Sequence, residues 1–387
     1  MEETLFGEFD RTNHEPATHA EGSFSFINRS ARPAAAKVRS ALEKWFSHYP
    51  HNHRIDFIKR LRTDFDIHFF ELLLFELLTQ LQYDVEVHPT LRSQHTRRPD
   101  FRAVHDDGHS VYVEAVTVTE MSREKVGKSR MIARLFDQVN ELALSDYFLR
   151  IKEIRNPRNK QPPGKKFNQF IEKCIKILDY DRVLESAEKS YQSLPSWTFK
   201  DGDIEIDFGV LPVSRESRGR TDRRPIGLYP IVTEWSKSNI NLRKAISNKA
   251  TRYGHPNDHF LIAVNSGLFV KEQDEIQALY GDEAFTIRRP GDSLIFHRKS
   301  NGVWVGPRGI QNKRLSGVLF FNAVPWNLPK ARVCVYPNPW AEYEYKGPLF
   351  AFPTLIAGED GRLSSAPGTT IGKILSLEES WPGKLFD

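Results

Sequence analysis

From residue 64 to residue 82 the chain is apolar on almost every side of a helical wheel. Phe65, Ile67, Phe69, Phe70, Leu72, Leu73, Leu74, Phe75, Leu77 and Leu78 leave only a thin polar stripe. A helix of that kind belongs in an interior. Asp64 stands at the cap position before it. At about 100° per residue, Asp64, His68, Glu71, Thr79 and Gln82 share the stripe, and Glu76 lies about 140° from Glu71. The two glutamates therefore cannot serve one site. The period then drops to two, which predicts strands. YDVEVHP, closed by Pro89, RRPDFRAV and VYVEAVTVT are three of them, and HDDGHS with Asp107-Gly108 at its tip is a hairpin turn between the last two. In the third strand Val111, Val113, Ala115, Thr117 and Thr119 share one face, and Tyr112, Glu114, Val116 and Val118 the other. Both faces are apolar, so Glu114 is set among hydrophobic neighbours.

Around this stretch the pattern is coarser. Residues 1 to 33 are polar without periodicity and read as extended or partly disordered. Residues 34 to 63 form a helical extension with Val38, Leu42, Trp45 and Tyr49 on one face, interrupted at Pro50. After the third strand come a helix near 128 to 144, a strand DYFLRIKEI, a helix ending near Leu178 and a strand DIEIDFGVLPV. A helix from Ser238 to Gly254, a strand HFLIAVNS and a helix DEIQALYG follow. From 286 to 387 the chain shows a β-rich region, with RLSGVLFF and ARVCVYP as strands and 357 to 370 as a flexible loop. Strands alternating with helices from 64 to 285 predict an α/β core: a mixed β-sheet flanked by helices.

With 387 residues the chain has room for one large or two ordinary domains, and ordinary charge content argues against global disorder. Net charge is +5, compatible with a polyanionic partner and equally with none. Two distant cysteines, Cys174 and Cys334, give neither a disulfide framework nor a CxxC zinc signal. A reducing compartment, the cytoplasm, is expected. The acidic, polar first residues are no secretory signal, and no apolar run has the length of a membrane span.

The chemistry worth following is acidic. An acid inside an apolar strand is costly unless something pairs with it. Asp100, in a Pro-Asp turn, and Glu114 are equidistant from the hairpin tip and so lie opposite each other. That juxtaposition is electrostatically poor without a cation. Alone, Asp100 reads as well as a turn residue, and Glu71 as an ordinary helical acid. Together the three resemble the PD-(D/E)XK nuclease superfamily, the restriction-endonuclease-like fold, through Glu71, Pro99-Asp100 and Glu114-Ala115-Val116. The chain is also similar to an uncharacterised bacterial group within it. The similarity rests on Glu71-Leu72, His88-Pro89, Arg98 to Phe101, Val113 to Ala115, Arg224 to Gly227, Lys249 to Gly254 and Ala263 to Asn265. The resemblance implies Mg²⁺ or Mn²⁺ held by Asp100, Glu114 and the Ala115 carbonyl, with Glu71 binding a second metal or orienting a water.

The superfamily places a lysine two residues after the glutamate, and here that position is Val116. Lys249 is the candidate substitute. It shares a helix face with Leu242, Ala245, Ile246 and Tyr253, where a lysine either snorkels to solvent or enters a site. Lys125 and Lys128 are further candidates. Two basic loops hold Arg158, Lys160, Lys165 and Lys166, and Arg218, Arg220, Arg223 and Arg224. They suit a phosphate backbone or serve as soluble loops. His48, His51 and His53 form a group without a zinc pattern, and Asp203, Glu205 and Asp207 share a strand face that reads as solvated. Trp304, Trp326, Trp340, Tyr343 and Tyr345 are base-stacking candidates or core residues. The expected protein is a metal-dependent DNA endonuclease, alone, as a homodimer or in a complex with another protein, in a restriction, repair or defence setting. The alternative is a catalytically silent nuclease fold that binds nucleic acid or a partner protein.

Overall fold

The most apolar segment of the chain organises the fold. Residues Phe65–Gln80 form helix α4, and Phe69 through Leu78 are all buried. Each fully buried Leu or Phe there contributes roughly 1.5–3 kcal/mol. α4 follows three helices, α1 (Ser23–Arg29), α2 (Pro33–His48) and α3 (His51–Thr63). Pro33 opens α2 and Pro50 caps α3, positions where a missing N–H is harmless. The computed structural model describes residues 3–90, 98–118, 123–158, 160–221, 223–228, 238–253, 258–266, 270–286, 295–357 and 363–383.

The chain divides into two compact units. The first comprises residues 1–16, 22–120 and 236–387, the second 17–21 and 121–235. In the first unit α4 leads to β1 (Tyr83–Val87), β2 (Phe101–His105) and β3 (Ser110–Thr117). The chain returns as α8 (Ser238–Ala250), β8 (His259–Asn265), α9 (Glu272–Tyr280), β9 (Glu283–Thr286) and β10 (Ile295–Arg298). β11 (Val305–Gly306), β12 (Gly309–Ile310), β13 (Gly317–Phe321), β14 (Val333–Pro337), β15 (Thr354–Ala357), β16 (Leu363–Ala366) and α10 (Ile371–Ile374) complete it. One mixed sheet of eight strands, in the order β1-β2-β3-β8-β13-β14-β15-β16, spans the unit. β1, β2 and β3 are antiparallel neighbours, while β3, β8 and β13 are parallel. Alternate residues separate the two cores. Val111, Val113, Leu261, Ala263, Leu319 and Phe321 pack with α2 to α4, and Val116, Ile262, Val264, Val318 and Phe320 pack with α8 and α9.

The second unit holds α5 (Arg123–Val139), β4 (Tyr147–Arg155), α6 (Gly164–Lys176), α7 (Tyr180–Lys189), β5 (Ser196–Asp201), β6 (Ile204–Pro212) and β7 (Ile226–Leu228). Its sheet runs β5-β6-β4-β7 over a separate apolar core that includes Leu149, Ile151, Phe167, Ile206 and Phe208.

Four expectations change. The α/β class with a mixed sheet flanked by helices is found, but the segment 64–285 is not one body, because residues 121–235 form their own unit. The boundary at 285 does not separate anything either: β13 and β14 extend the sheet that holds β3 and β8. Residues 1–33 are folded in part, since Leu5, Phe6 and Ile27 enter the core and Glu43 accepts the Leu5 and Phe6 backbone N–H groups at 3.1 and 2.9 Å. Periodicity cannot reveal a segment held by a few anchors. Finally, Leu363–Ala366, within the stretch 357–370 read as a flexible loop, is an edge strand of the sheet and pairs with Thr354–Ala357. No described helix is long and apolar enough to cross a membrane.

Candidate functional site

The hairpin between β2 and β3 sets the site. Gly108 at its tip has φ +90°, the left-handed conformation that favours glycine, and its N–H donates to the His105 carbonyl at 2.9 Å. This turn pins the register Phe101↔Val113, Arg102↔Tyr112, Ala103↔Val111 and Val104↔Ser110. One step beyond, Asp100 faces Glu114, as equal distances from the tip require. Asp100 Oδ2 accepts the Ala115 backbone N–H at 2.8 Å. On its other side the Asp100 carbonyl accepts the His88 N–H at 2.9 Å, with His88 held at φ +50°.

Glu114 is almost fully buried, on the sheet face that packs against α8. Its carboxylate is gripped at both oxygens, from α8 and from the turn that follows it. Lys249 donates its amine to Oε1, and Tyr253, one turn further on, donates its hydroxyl to Oε2 at 2.6 Å. Arg252 Nη1 stands 3.9 Å from Oε1. The Lys249 side chain is 26% exposed, so it joins a buried acid to the surface. Burial, then the neighbouring carboxylates of Glu114 and Glu71, push the Asp100 carboxyl well above the usual carboxylate range; the Ala115 N–H and Lys249 oppose them. Burial also raises the Tyr253 hydroxyl, with Glu114 acting in the same direction, so this group is a donor at every ordinary pH.

Glu71 is sealed. It approaches from α4, on the other face of the sheet. Tyr49 donates to its Oε1 at 3.0 Å, while Arg60 Nη1 and His68 Nδ1 lie 2.9 and 2.8 Å from Oε2. Burial opposes its ionisation, yet His68 and Arg60 together hold its carboxyl down at about 2. Both Glu71 oxygens thus accept hydrogen bonds within this cluster, while its charge still reaches Asp100 and raises that carboxyl. Glu76 points elsewhere, to His48 Nδ1 at 2.8 Å, as the helical wheel requires. Periodicity signalled His68, on the polar stripe, and Tyr253, on the Lys249 face. Arg60 comes from α3 and Tyr49 from the cap after α2, and nothing in their local pattern links them to Glu71.

A divalent cation such as Mg²⁺ takes hard oxygen donors. Asp100, Glu114 and the Ala115 carbonyl are of that type. In a strand the N–H and C=O of one residue point to the same side. The Ala115 N–H turns to Asp100, so its carbonyl also faces that side, past the first residue of β2. The donor set fits such an ion. Among the described residues no cluster of three or more His, Cys, Asp or Glu has metal-holding spacing. Two carboxylates and a carbonyl are thus the most this place offers. Val116, where a lysine was expected by resemblance, packs into the apolar core beside α8. Lys125 and Lys128 fall in α5, and their side chains lie outside the described residues.

In the second unit several residues of the two basic loops have partners within the unit. Arg158 pairs with Asp203 at 3.0 Å, Lys166 with Asp201 at 2.9 Å and Arg218 with Asp146 at 3.3 Å. Arg223 donates to the Ser145 and Ser217 carbonyls and Arg224 to the Ala17 carbonyl. The strand acids Glu205 and Asp207 hold Arg155, both at 2.9 Å. Of the three acids read as a solvated face, Asp203 reaches a basic loop through Arg158, while Glu205 and Asp207 are engaged by Arg155 at the end of β4. Lys160 and Lys165 are exposed, as is Arg220. Trp304 and Tyr345 are core residues, and His53 lies edge-on to His88 while His48 serves Glu76, so the histidines form no joint site. No protein-family model, no curated protein and no solved structure matches the chain.

Proposed function

We propose that this chain is a divalent-metal-dependent nuclease, with a restriction-endonuclease-like core, that hydrolyses DNA phosphodiester bonds. One observation carries the reading: two acids from facing strands, Asp100 and Glu114, share a place with an amine delivered by Lys249 from α8. The helix–strand–strand–strand order from α4 to β3 supports the core assignment. Asp100, Glu114 and the Ala115 carbonyl would hold Mg²⁺ or Mn²⁺, which would neutralise phosphate charge and acidify a water. Lys249 supplies the positive charge that Val116 cannot, and orients the attacking water. The water oxygen bonds to phosphorus as the ester P–O bond breaks, and the leaving oxygen takes up a proton. Asp100 is the acid whose environment most favours a bound cation, because burial and two neighbouring carboxylates penalise its charge. DNA as the substrate rests on the net charge of +5 and the exposed Lys160 and Lys165.

The sealed Glu71 and the apolar Val116 favour the second reading, a silent nuclease fold that binds nucleic acid or a partner protein. Cleavage of plasmid, linear and single-stranded DNA by the purified chain, in Mg²⁺, Mn²⁺ or EDTA, separates the two. Metal-dependent cutting that Asp100→Asn lowers by at least about a hundredfold is expected, the scale of losing a charged group that acts in the transition state. DNA binding without cutting in either metal selects the silent fold.

A further inference from the structure

A second buried glutamate in the same unit shows what is particular about Glu114. Glu275 on α9 is fully buried, and it too is gripped at both oxygens: Arg332 donates to Oε1 and Tyr336 to Oε2 at 2.9 Å. The grips match in chemistry, one cation and one tyrosine hydroxyl four residues apart. They differ in what stands opposite. At Glu275 the opposing carboxylate is Glu272, from the same helix and not from a facing strand, and its grip is that of a structural ion pair. Glu114 faces Asp100, whose Oδ2 is already taken by the Ala115 N–H. Each acid of the facing pair therefore has one oxygen tied permanently to the protein, Asp100 Oδ2 to a backbone amide and Glu114 Oε2 to Tyr253. The remaining Glu114 oxygen carries the Lys249 amine, on a side chain long enough to swing and one-quarter exposed.

We propose, resting on the nuclease reading above, that the two partners of Glu114 have different roles. Tyr253 is a positioning residue that fixes which carboxylate oxygen faces Asp100. Lys249 is a place-holder that neutralises that oxygen in the metal-free protein and gives it up when a divalent cation enters. A buried carboxylate pair without any cation is strongly unfavourable, so the amine keeps the site folded and empty of charge conflict. The arrangement makes Lys249 a competitor of the metal for Oε1 as well as the site's amine.

The consequence is a split between affinity and rate. Mn²⁺ binding to the full chain, followed by electron paramagnetic resonance, reads the first, and DNA cleavage reads the second. Lys249→Met is expected to bind Mn²⁺ several-fold more tightly than wild type while losing cleavage. Mn²⁺ should also raise its Tm more than that of wild type. Tyr253→Phe is expected to weaken Mn²⁺ binding by about tenfold, the usual scale for a hydrogen bond that orients a ligand. Tyr336→Phe, which loosens the structural grip on Glu275, should leave Mn²⁺ affinity unchanged. If Lys249→Met weakens binding as Asp100→Asn does, the place-holder role is overturned; unchanged affinity in Tyr253→Phe overturns the positioning role. Lys249→Gln replaces the Met variant should that fail to fold. A wild type that binds no Mn²⁺ overturns the nuclease reading and the inference with it, whereas normal wild-type binding with the wrong variant order overturns the inference alone.

Discussion

At the scale of single residues, three buried carboxylates are stabilised in three ways. Glu71 is surrounded by Arg60, His68 and Tyr49; Glu275 by Arg332 and Tyr336; Glu114 by Lys249 and Tyr253, with Asp100 across from it. Of the three, the last has a second acid across the strand pair from it, with the Lys249 amine between the site and solvent. The Glu71 cluster makes a pH prediction. Its folded carboxyl lies at about 2, below the unfolded value of 4.5. The folded state therefore binds fewer protons. Its stabilisation is fully present above pH 4.5 and is lost as pH falls from there toward 2, on the order of 3 kcal/mol in all. Urea unfolding of wild type and Glu71→Gln across that window should show the wild type losing its advantage. Parallel pH profiles for the two proteins would contradict the assignment.

The element scale decides where an amine can come from. β3 presents Glu114 and Val116 on the same face, because side chains alternate, and α8 packs over that face. A lysine at 116 would thus start from the strand and reach the place that Lys249 reaches from the helix. The double variant Val116→Lys/Lys249→Met is expected to recover part of the cleavage that Lys249→Met loses, where that loss is about 10²–10⁴-fold. Recovery in single-turnover cleavage would tie the role to the amine and not to the helix. A double variant as inactive as the single one, yet folded, would show that the amine must approach from α8. Strand periodicity and the Asp107-Gly108 turn made this half of the site legible in sequence: register followed from counting residues to the hairpin tip. The Lys249 helix was legible as a periodic face with one misplaced charge, and Tyr253 stood on that same face.

For the whole molecule, the division into two units governs what the basic loops can do. They belong to the second unit, whose own acids bind Arg158, Lys166 and Arg218. A DNA contact from this unit therefore falls to residues such as Lys160 and Lys165, which are exposed. Replacing both by alanine should reduce the slope of log affinity against log salt by about 2, since each phosphate contact contributes about 1. An unchanged slope would assign DNA binding to other residues. Composition alone does not show these pairs, because the partner acids Asp203, Asp201 and Asp146 lie in other segments of the chain.

What the sequence determined by itself was local and periodic: the buried α4, the β2–β3 hairpin, the facing of Asp100 and Glu114, and a lysine on an apolar helix face. Those features follow from side-chain spacing along a few turns or strand steps, which residue order encodes directly. The tertiary structure decided the rest. It closed Glu71 with residues from α3 and the cap after α2, inserted a second unit into the sheet's connectivity, carried β13 and β14 into the same sheet as β3, and brought Lys249 to an acid 135 residues away. These are long-range choices, made by which apolar faces can be covered together, and no local period records them.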